Sequence, residues 1–340
     1  GGWEIMQNHK TNSVRNQIGY ITAASFNRSI EIALYKHFNV EAAIARVNRR
    51  IAHCQEGRLY VGKDRGYTVF FEIVNGHHKY LRKKSERTND LARRKYLELL
   101  LQILELTDSH VAKDIIRRVS LIEKLQRLIF SYEAGGLDIS RIVLTVAQQR
   151  WFFGNYHRKR LDMEIPHITH SGVRVRSKSE RDIGNMFEKY AIPYHYEEAI
   201  SIKVLDLVNK LKASLINKGV FSEPLCYMRS IGCTWQVPEY LQWMNSPGSI
   251  WKSYNERTGY ITIFNDFKSM LADNDTVLME HEGLCDDFVY RCNAAERVFV
   301  MLYTKSVSRK NLIYTFEDDV ADKSVLESII ENTILPRLWF

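Results

Sequence analysis

Three acids close two short strand-like stretches. Asp266 follows Tyr260-Ile-Thr-Ile-Phe-Asn, and Glu280 and Glu282 end the run Thr276-Val-Leu-Met-Glu-His-Glu. Side chains alternate along a strand, so Glu280 and Glu282 share one face and His281 points to the other. A hairpin that brings two or three carboxylates to one spot is costly, because like charges repel and raise each other's pKa. A hard divalent cation with oxygen ligands, such as Mg²⁺, resolves the conflict. Asp266 and Glu280 are the first candidates for it. Glu180 is a further acid, placed where a helix should start.

The elements that must carry these acids can be read from spacing. Residues 260–267 and 276–283 read as the two strands of a hairpin, with turn formers from Lys268 to Asp275 between them. Ser177 and Ser179 are candidate N-caps for a helix whose core face is Ile183, Met186, Phe187 and Tyr190, and Glu180 falls in its first turn near the positive helix end. Tyr194 to Ile200 reads as a strand. After the hairpin come a helix from Asp287 to Tyr303, which carries Arg291 and Arg297, a strand from Asn311 to Glu317, and a closing helix from Val325 to Leu335.

The region before residue 165 has a different character. Residues 1–20 are polar and weakly patterned, which predicts a flexible lead-in. Helices are predicted over Ser25–His37, Val40–Ile51, Asp90–Leu106 (the chain turning helical from Arg82), Val111–Phe130 and Arg141–Phe153. Arg58 to Leu81 predicts an antiparallel meander, with Asn75-Gly76 as a two-residue hairpin turn. Tyr156-His-Arg-Lys-Arg160 forms a basic, aromatic cluster, and Pro166 and Gly172 mark a linker. Two domains follow, over 1–165 and 170–340. The second carries an irregular, aromatic-rich insertion at about 201–258, with Cys226, Cys233, Trp235, Trp243 and Trp251. It reads as a satellite core or as an element that stacks on bases.

The chain of 340 residues carries a net charge of +8, unevenly spread. Residues 1–170 hold 28 Lys/Arg against 17 Asp/Glu, while residues 171–340 hold 20 against 23. A basic front half beside a carboxylate-bearing back half suits a polyanion gripped by one part and cut by the other. No apolar run reaches the length of a membrane span, and no secretory leader is visible. The five cysteines, odd in number and without a CxxC pair, point to reduced thiols and a cytoplasmic setting.

The order helix, strand, two-strand hairpin, helix, strand (αβββαβ), with Glu180, Asp266 and Glu280 at these places, resembles the PD-(D/E)XK nuclease superfamily. That superfamily has a restriction-endonuclease-like α/β fold. Val175-Arg-Ser-Lys-Ser-Glu180, Tyr194-His-Tyr-Glu197, Asn265-Asp266-Phe267 and Met279-Glu-His-Glu-Gly283 look like an uncharacterised bacterial branch of it. The resemblance covers about residues 170–340. It implies that Asp266 and Glu280 bind Mg²⁺ (Mn²⁺ as the alternative ion), with Glu180 an auxiliary acid and Glu197 an outer one. It further implies a metal-dependent deoxyribonuclease, RNA remaining open as a substrate, with a second copy or a defence-complex protein as partner.

Two positions depart from the family pattern. Asn265 stands in place of its proline, and Glu282 in place of the lysine that positions or deprotonates the attacking water. Arg297 is placed to reach back as a substitute that orients water or neutralises charge; Glu282 itself could act as base or hold a second ion. His281 could lend its carbonyl to the metal or hydrogen-bond within the fold. The missing lysine keeps a second function open: a catalytically inactive, nuclease-like protein that binds nucleic acid or serves in assembly.

Overall fold

The computed structural model describes residues 11–15, 21–161, 165–216, 249–283 and 288–340. The front half contains β1 (Thr11–Arg15), α1 (Ala23–Tyr35), α2 (Val40–Ala52), β2 (Arg58–Asp64), β3 (Tyr67–Val74), β4 (His77–Leu81), α3 (Glu86–Glu105), α4 (Ala112–Ala134), α5 (Ile139–Val143), α6 (Val146–Phe152) and β5 (Asn155–Lys159). β2, β3 and β4 form the expected meander. Asn75 and Gly76 both take positive φ (50° and 81°), as a two-residue hairpin turn requires.

Three expectations need correction here. Residues 11–15 are a strand rather than a loose lead-in, because β1 pairs antiparallel with β5, Thr11 opposite Lys159. The chain, expected to turn helical from Arg82, starts its helix at Glu86, because Ser85 Oγ accepts from the Thr88 amide (3.1 Å) and caps it there. The helix expected over 141–153 is two short ones. Leu144 turns extended, and Thr145 opens α6 with a capping box shared with Gln148.

The back half contains β6 (His167–Ile168), β7 (Arg174–Val175), α7 (Lys178–Lys189), β8 (His195–Tyr196), β9 (Ala199–Lys203), α8 (Leu205–Ile216), β10 (Tyr260–Phe264), β11 (Phe267–Met270), β12 (Thr276–Glu282), α9 (Phe288–Tyr303), β13 (Leu312–Phe316), α10 (Glu317–Ala321), α11 (Lys323–Thr333) and α12 (Leu335–Leu338). The class is mixed α/β with several small sheets. The four-stranded sheet runs β13-β12-β11-β8, with β12 and β13 parallel and the other pairs antiparallel.

The expected hairpin is shorter than the sequence suggests. Its first strand begins at Phe267, paired with Met279, and not at Tyr260. β10 leaves to pair with β9 in a separate ribbon, Phe264 opposite Ala199. Both strands break at the same level: Glu197-Glu198 on one side and Asn265-Asp266 on the other lie between the two pairings. Glu197 takes a left-handed φ of 49°, and its amide donates to the Asp266 carbonyl (3.0 Å). One long ribbon is thus bent into two sheets, with Asp266 at the bend.

The β9–β10 ribbon closes the insertion and covers a small second core of Ile202, Leu207, Trp251, Ile261, Ile263, Phe299 and their neighbours. Trp251 therefore belongs to a satellite core. Cys226, Cys233, Trp235 and Trp243 lie outside the described residues.

The main core runs without interruption from α1 to the last residues. Trp339 packs edge-on against Phe26 (4.9 Å) and donates its indole N–H to Ser29 Oγ (2.7 Å). Gln148 in α6 donates to the carbonyls of Met270 (3.0 Å) and Leu338 (3.2 Å). Apolar packing is continuous across residues 165–170. No helix among the described residues is long and apolar enough to cross a membrane.

Candidate functional site

Strand alternation holds at the end of β12. Glu280 and Glu282 lie opposite Tyr314 and Phe316 of β13, while His281 lies opposite Thr315. The His281 ring turns away from the acids. Its Nδ1 is 3.2 Å from Thr315 Oγ1 and its Nε2 is 3.2 Å from Glu317 Oε1. Its backbone carbonyl accepts from the Tyr290 hydroxyl (3.0 Å). His281 thus hydrogen-bonds within the fold, and its amide holds Asp266: the His281 N–H donates to Asp266 Oδ2 at 2.7 Å.

Glu280 is 1% exposed. Arg297, one helix later on α9, brings Nη2 to 3.2 Å from Glu280 Oε2 and to 3.8 Å from Glu282 Oε1. The predicted reach-back of Arg297 is therefore present. Burial pushes the Glu280 carboxyl well above the ordinary range; the charges of Asp266 and Glu282 push the same way and Arg297 opposes. Asp266 is raised by burial and by Glu197, against Arg297 and the His281 amide. Glu282 is raised by burial and by Asp266, again against Arg297.

Glu180 sits at the start of α7 as expected, but one of its oxygens is already engaged. Ser177 Oγ accepts from the Glu180 amide (3.1 Å), and Glu180 Oε2 accepts from the amides of Ser177 (2.7 Å) and Arg176 (3.0 Å). This is a complete capping box. Burial and the nearby charge of Asp266 raise its pKa. Glu197 is held by Arg176, whose Nε is 2.6 Å from Glu197 Oε1. The structure thus brings Asp266, Glu280, Glu282 and Arg297 together, with Glu180 and Glu197 on the flank.

Three neighbours were not singled out by spacing. Lys159 ends β5, and its amide donates to the Glu197 carbonyl (3.3 Å). The residue is exposed overall, yet desolvation lowers the pKa of its ammonium, with Arg176 and Arg297 adding and Glu197 and Asp266 opposing. Arg176 neutralises Glu197. Tyr314 presents a buried hydroxyl with no hydrogen-bond partner among the described residues. Only the basic character of Tyr156-His-Arg-Lys-Arg160 hinted at the first of these.

The donor set is oxygen only, which suits a hard cation. Five carboxylates (Glu180, Glu197, Asp266, Glu280, Glu282) meet three cations (Lys159, Arg176, Arg297), so two negative charges need protons or one divalent ion. Neither Glu280 oxygen accepts a well-formed hydrogen bond from the described residues, and the buried Asn265 amide beside Asp266 is likewise unpartnered among them. Buried polar atoms are rarely left so, and a ligand or ordered water is the ordinary remedy. Among the described residues, however, no group of three His, Cys, Asp or Glu side chains is already arranged around a metal position. Glu180 is held by its cap and Glu280 lies against Arg297. Comparison with models of protein families, with curated proteins and with solved structures finds no match to this chain.

Proposed function

We propose that this protein is a metal-dependent phosphodiesterase of the restriction-endonuclease-like type, acting on DNA. The observation that carries this reading is Glu280: an ionisable side chain with 1% exposure, beside Asp266 at a bent strand, with Arg297 3.2 Å away. Such an arrangement is costly for a fold and is characteristic of sites that do chemistry. The order α7, β8, β11, β12, α9, β13, with β12 and β13 parallel, supports the αβββαβ reading of this half.

Asp266 and Glu280 would hold Mg²⁺ or Mn²⁺, Asp266 being kept in place by the His281 amide. The bound ion would supply a more acidic water and stabilise charge on the phosphate. Arg297 is always protonated and serves as a fixed positive charge beside the reacting phosphate rather than as a base. Glu282, raised by burial, is as a carboxylate a stronger base than a free one. The basic front half would hold the polyanion.

A plasmid-cleavage assay with Mg²⁺, Mn²⁺ or EDTA tests the proposal. Cleavage in either metal that vanishes in Asp266→Asn and Glu280→Gln, both folded by circular dichroism, is the expected result. Activity that survives both changes rules this site out. A non-catalytic reading draws on one observation: Arg297 already contacts both Glu280 and Glu282. Salt-sensitive, metal-independent binding without scission would favour it.

A further inference from the structure

The outer face of the front meander is an aromatic layer. Tyr60 of β2, Phe71 of β3 and Tyr80 of β4 form one cross-strand row. Arg58, Ile73 and His78 form the next row on the same face. The opposite face buries Leu59, Phe70 and Leu81 in the main core, so the outward direction of the aromatic rows is dictated by alternation.

The rings touch across all three strands. Tyr60 stacks on His78 at 4.7 Å with planes 26° apart, and Phe71 meets Tyr80 edge-on at 6.0 Å. Tyr60 and Tyr80 remain 43% and 57% exposed. Gly62 matters here: a Cβ at that position would come within 2.9 Å of the Tyr60 ring, so glycine leaves the space that lets this ring lie along the sheet. Exposed clusters of rings of this kind mark interaction sites.

Charge identifies the partner. Residues 58–84 carry seven Lys/Arg against two acids, Asp64 and Glu72; on alternation Arg58 and Asp64 share the outer face with Tyr60, Lys63 and Lys79 turn to the other face, and Arg65, Arg82, Lys83 and Lys84 stand at the strand ends. Glu72 is buried and ion-paired with Arg87, so it does not offset them. An exposed aromatic layer with positive charge at its strand ends matches unpaired bases on a phosphate backbone, since every base has a face to stack while a duplex hides its own. An acidic protein would match the charge but not the rings.

We infer that the outer face of β2–β3–β4, through Tyr60, His78 and Tyr80, binds single-stranded nucleic acid by stacking its bases. The inference deepens the nuclease reading, since it places unpaired substrate on the front half, but the surface does not depend on the acid site. The Trp-rich insertion is not needed for it, as Trp251 is packed in its own core.

The test is fluorescence anisotropy on the whole protein in EDTA, with labelled oligothymidylate of about 15 nucleotides, in the range such surfaces cover, and a duplex of equal length. Tighter binding of the single strand is expected. Tyr60→Ala and Tyr80→Ala should each weaken it by about fivefold or more, whereas Tyr60→Phe and Tyr80→Phe should leave it within about twofold, because stacking needs the ring and not the hydroxyl. Both tyrosines are exposed, so the variants are expected to keep the wild-type circular dichroism and melting temperature. Equal binding of wild type and alanine variants overturns the inference, as does preference for the duplex or absence of binding by the wild type. Capture of a protein partner whose binding is lost in Tyr80→Ala, with oligothymidylate binding unchanged, also overturns it. Because metal is absent from the assay, a wild type that binds here but never cuts with Mg²⁺ refutes the nuclease reading alone. One that cuts while its alanine variants bind normally refutes the stacking surface alone.

Discussion

The guanidinium of Arg297 lies 3.2 Å from the carboxylate of Glu280, across the step from β12 to α9. It is the near positive charge for an acid that is 1% exposed. Removing one partner of a buried pair leaves the other uncompensated and costs about 3–5 kcal/mol. Arg297→Met should therefore lower the urea midpoint by that equivalent. Adding Glu280→Gln in the same chain should recover most of the loss. A double variant no more stable than Arg297→Met would show that the two groups are not energetically coupled.

The carboxyls of Glu280, Asp266, Glu282, Glu180 and Glu197 are all raised, burial being the first cause in each. A raised acid binds its proton more tightly in the folded chain than in the unfolded one. Its folded form is therefore favoured at low pH and loses stability as pH climbs from about 4, the unfolded carboxyl value, through the raised values. In EDTA, the melting temperature should fall as pH rises above about 4, the unfolded carboxyl value, on this account. Glu198 acts in another window. Burial opposes it, but hydrogen bonds from His195 and Lys268 hold its pKa at about 2. Its contribution is present above the unfolded value near 4 and is lost as pH falls toward about 2. A melting temperature that stays flat or rises above pH 5 would count against the buried acid cluster.

Mg²⁺ should compete with those protons. A cation that binds only the folded form raises stability by mass action. The gain in melting temperature from millimolar Mg²⁺ should be larger near pH 8 than near pH 5.5, and should be absent in Asp266→Asn. Equal gains in wild type and Asp266→Asn would place any bound ion elsewhere.

Glu180 has a structural duty and a chemical one, and two substitutions separate them. Glu180→Ala removes the acceptor for the Ser177 and Arg176 amides and should cost about 1 kcal/mol of stability. Glu180→Gln keeps an oxygen acceptor without the charge. Its unfolding midpoint should stay close to wild type while metal-dependent cleavage drops. A glutamine variant as active as wild type would leave Glu180 as a cap alone.

Trp339 ties the end of the back half to α1. Truncating a fully buried aromatic costs about 3–5 kcal/mol, so Trp339→Ala should lower the melting temperature of the whole chain. Helical signal and tertiary fluorescence of wild type should melt together, because apolar packing crosses residues 165–170 without a gap. Two separated transitions would contradict this.

Local rules made most elements legible. Apolar periodicity located α2, α4 and α7, and Asn75-Gly76 announced the meander turn. Two-residue alternation put Glu280 and Glu282 on one face and His281 on the other, as found. These features depend on neighbours within a few positions, which is the range over which propensity and alternation act. Pairing partners did not follow from it. Nothing in residues 1–20 announces that Thr11–Arg15 meets β5, and nothing in Tyr260–Phe267 announces that the ribbon bends at Asp266. That bend depends on Glu197, more than sixty positions earlier, in a left-handed conformation against the Asp266 carbonyl.

The candidate site divides the same way. Residue types alone set its acidity and its oxygen donors, and the family resemblance pointed to Arg297. Only tertiary structure decided that Lys159 and Arg176 join it and that Glu180 is held by its own cap. It also decided that Glu280 is buried nearly completely. The desolvation that raises these carboxyls comes from elements distant in the chain packing around them, and no local spacing encodes how much water that packing removes.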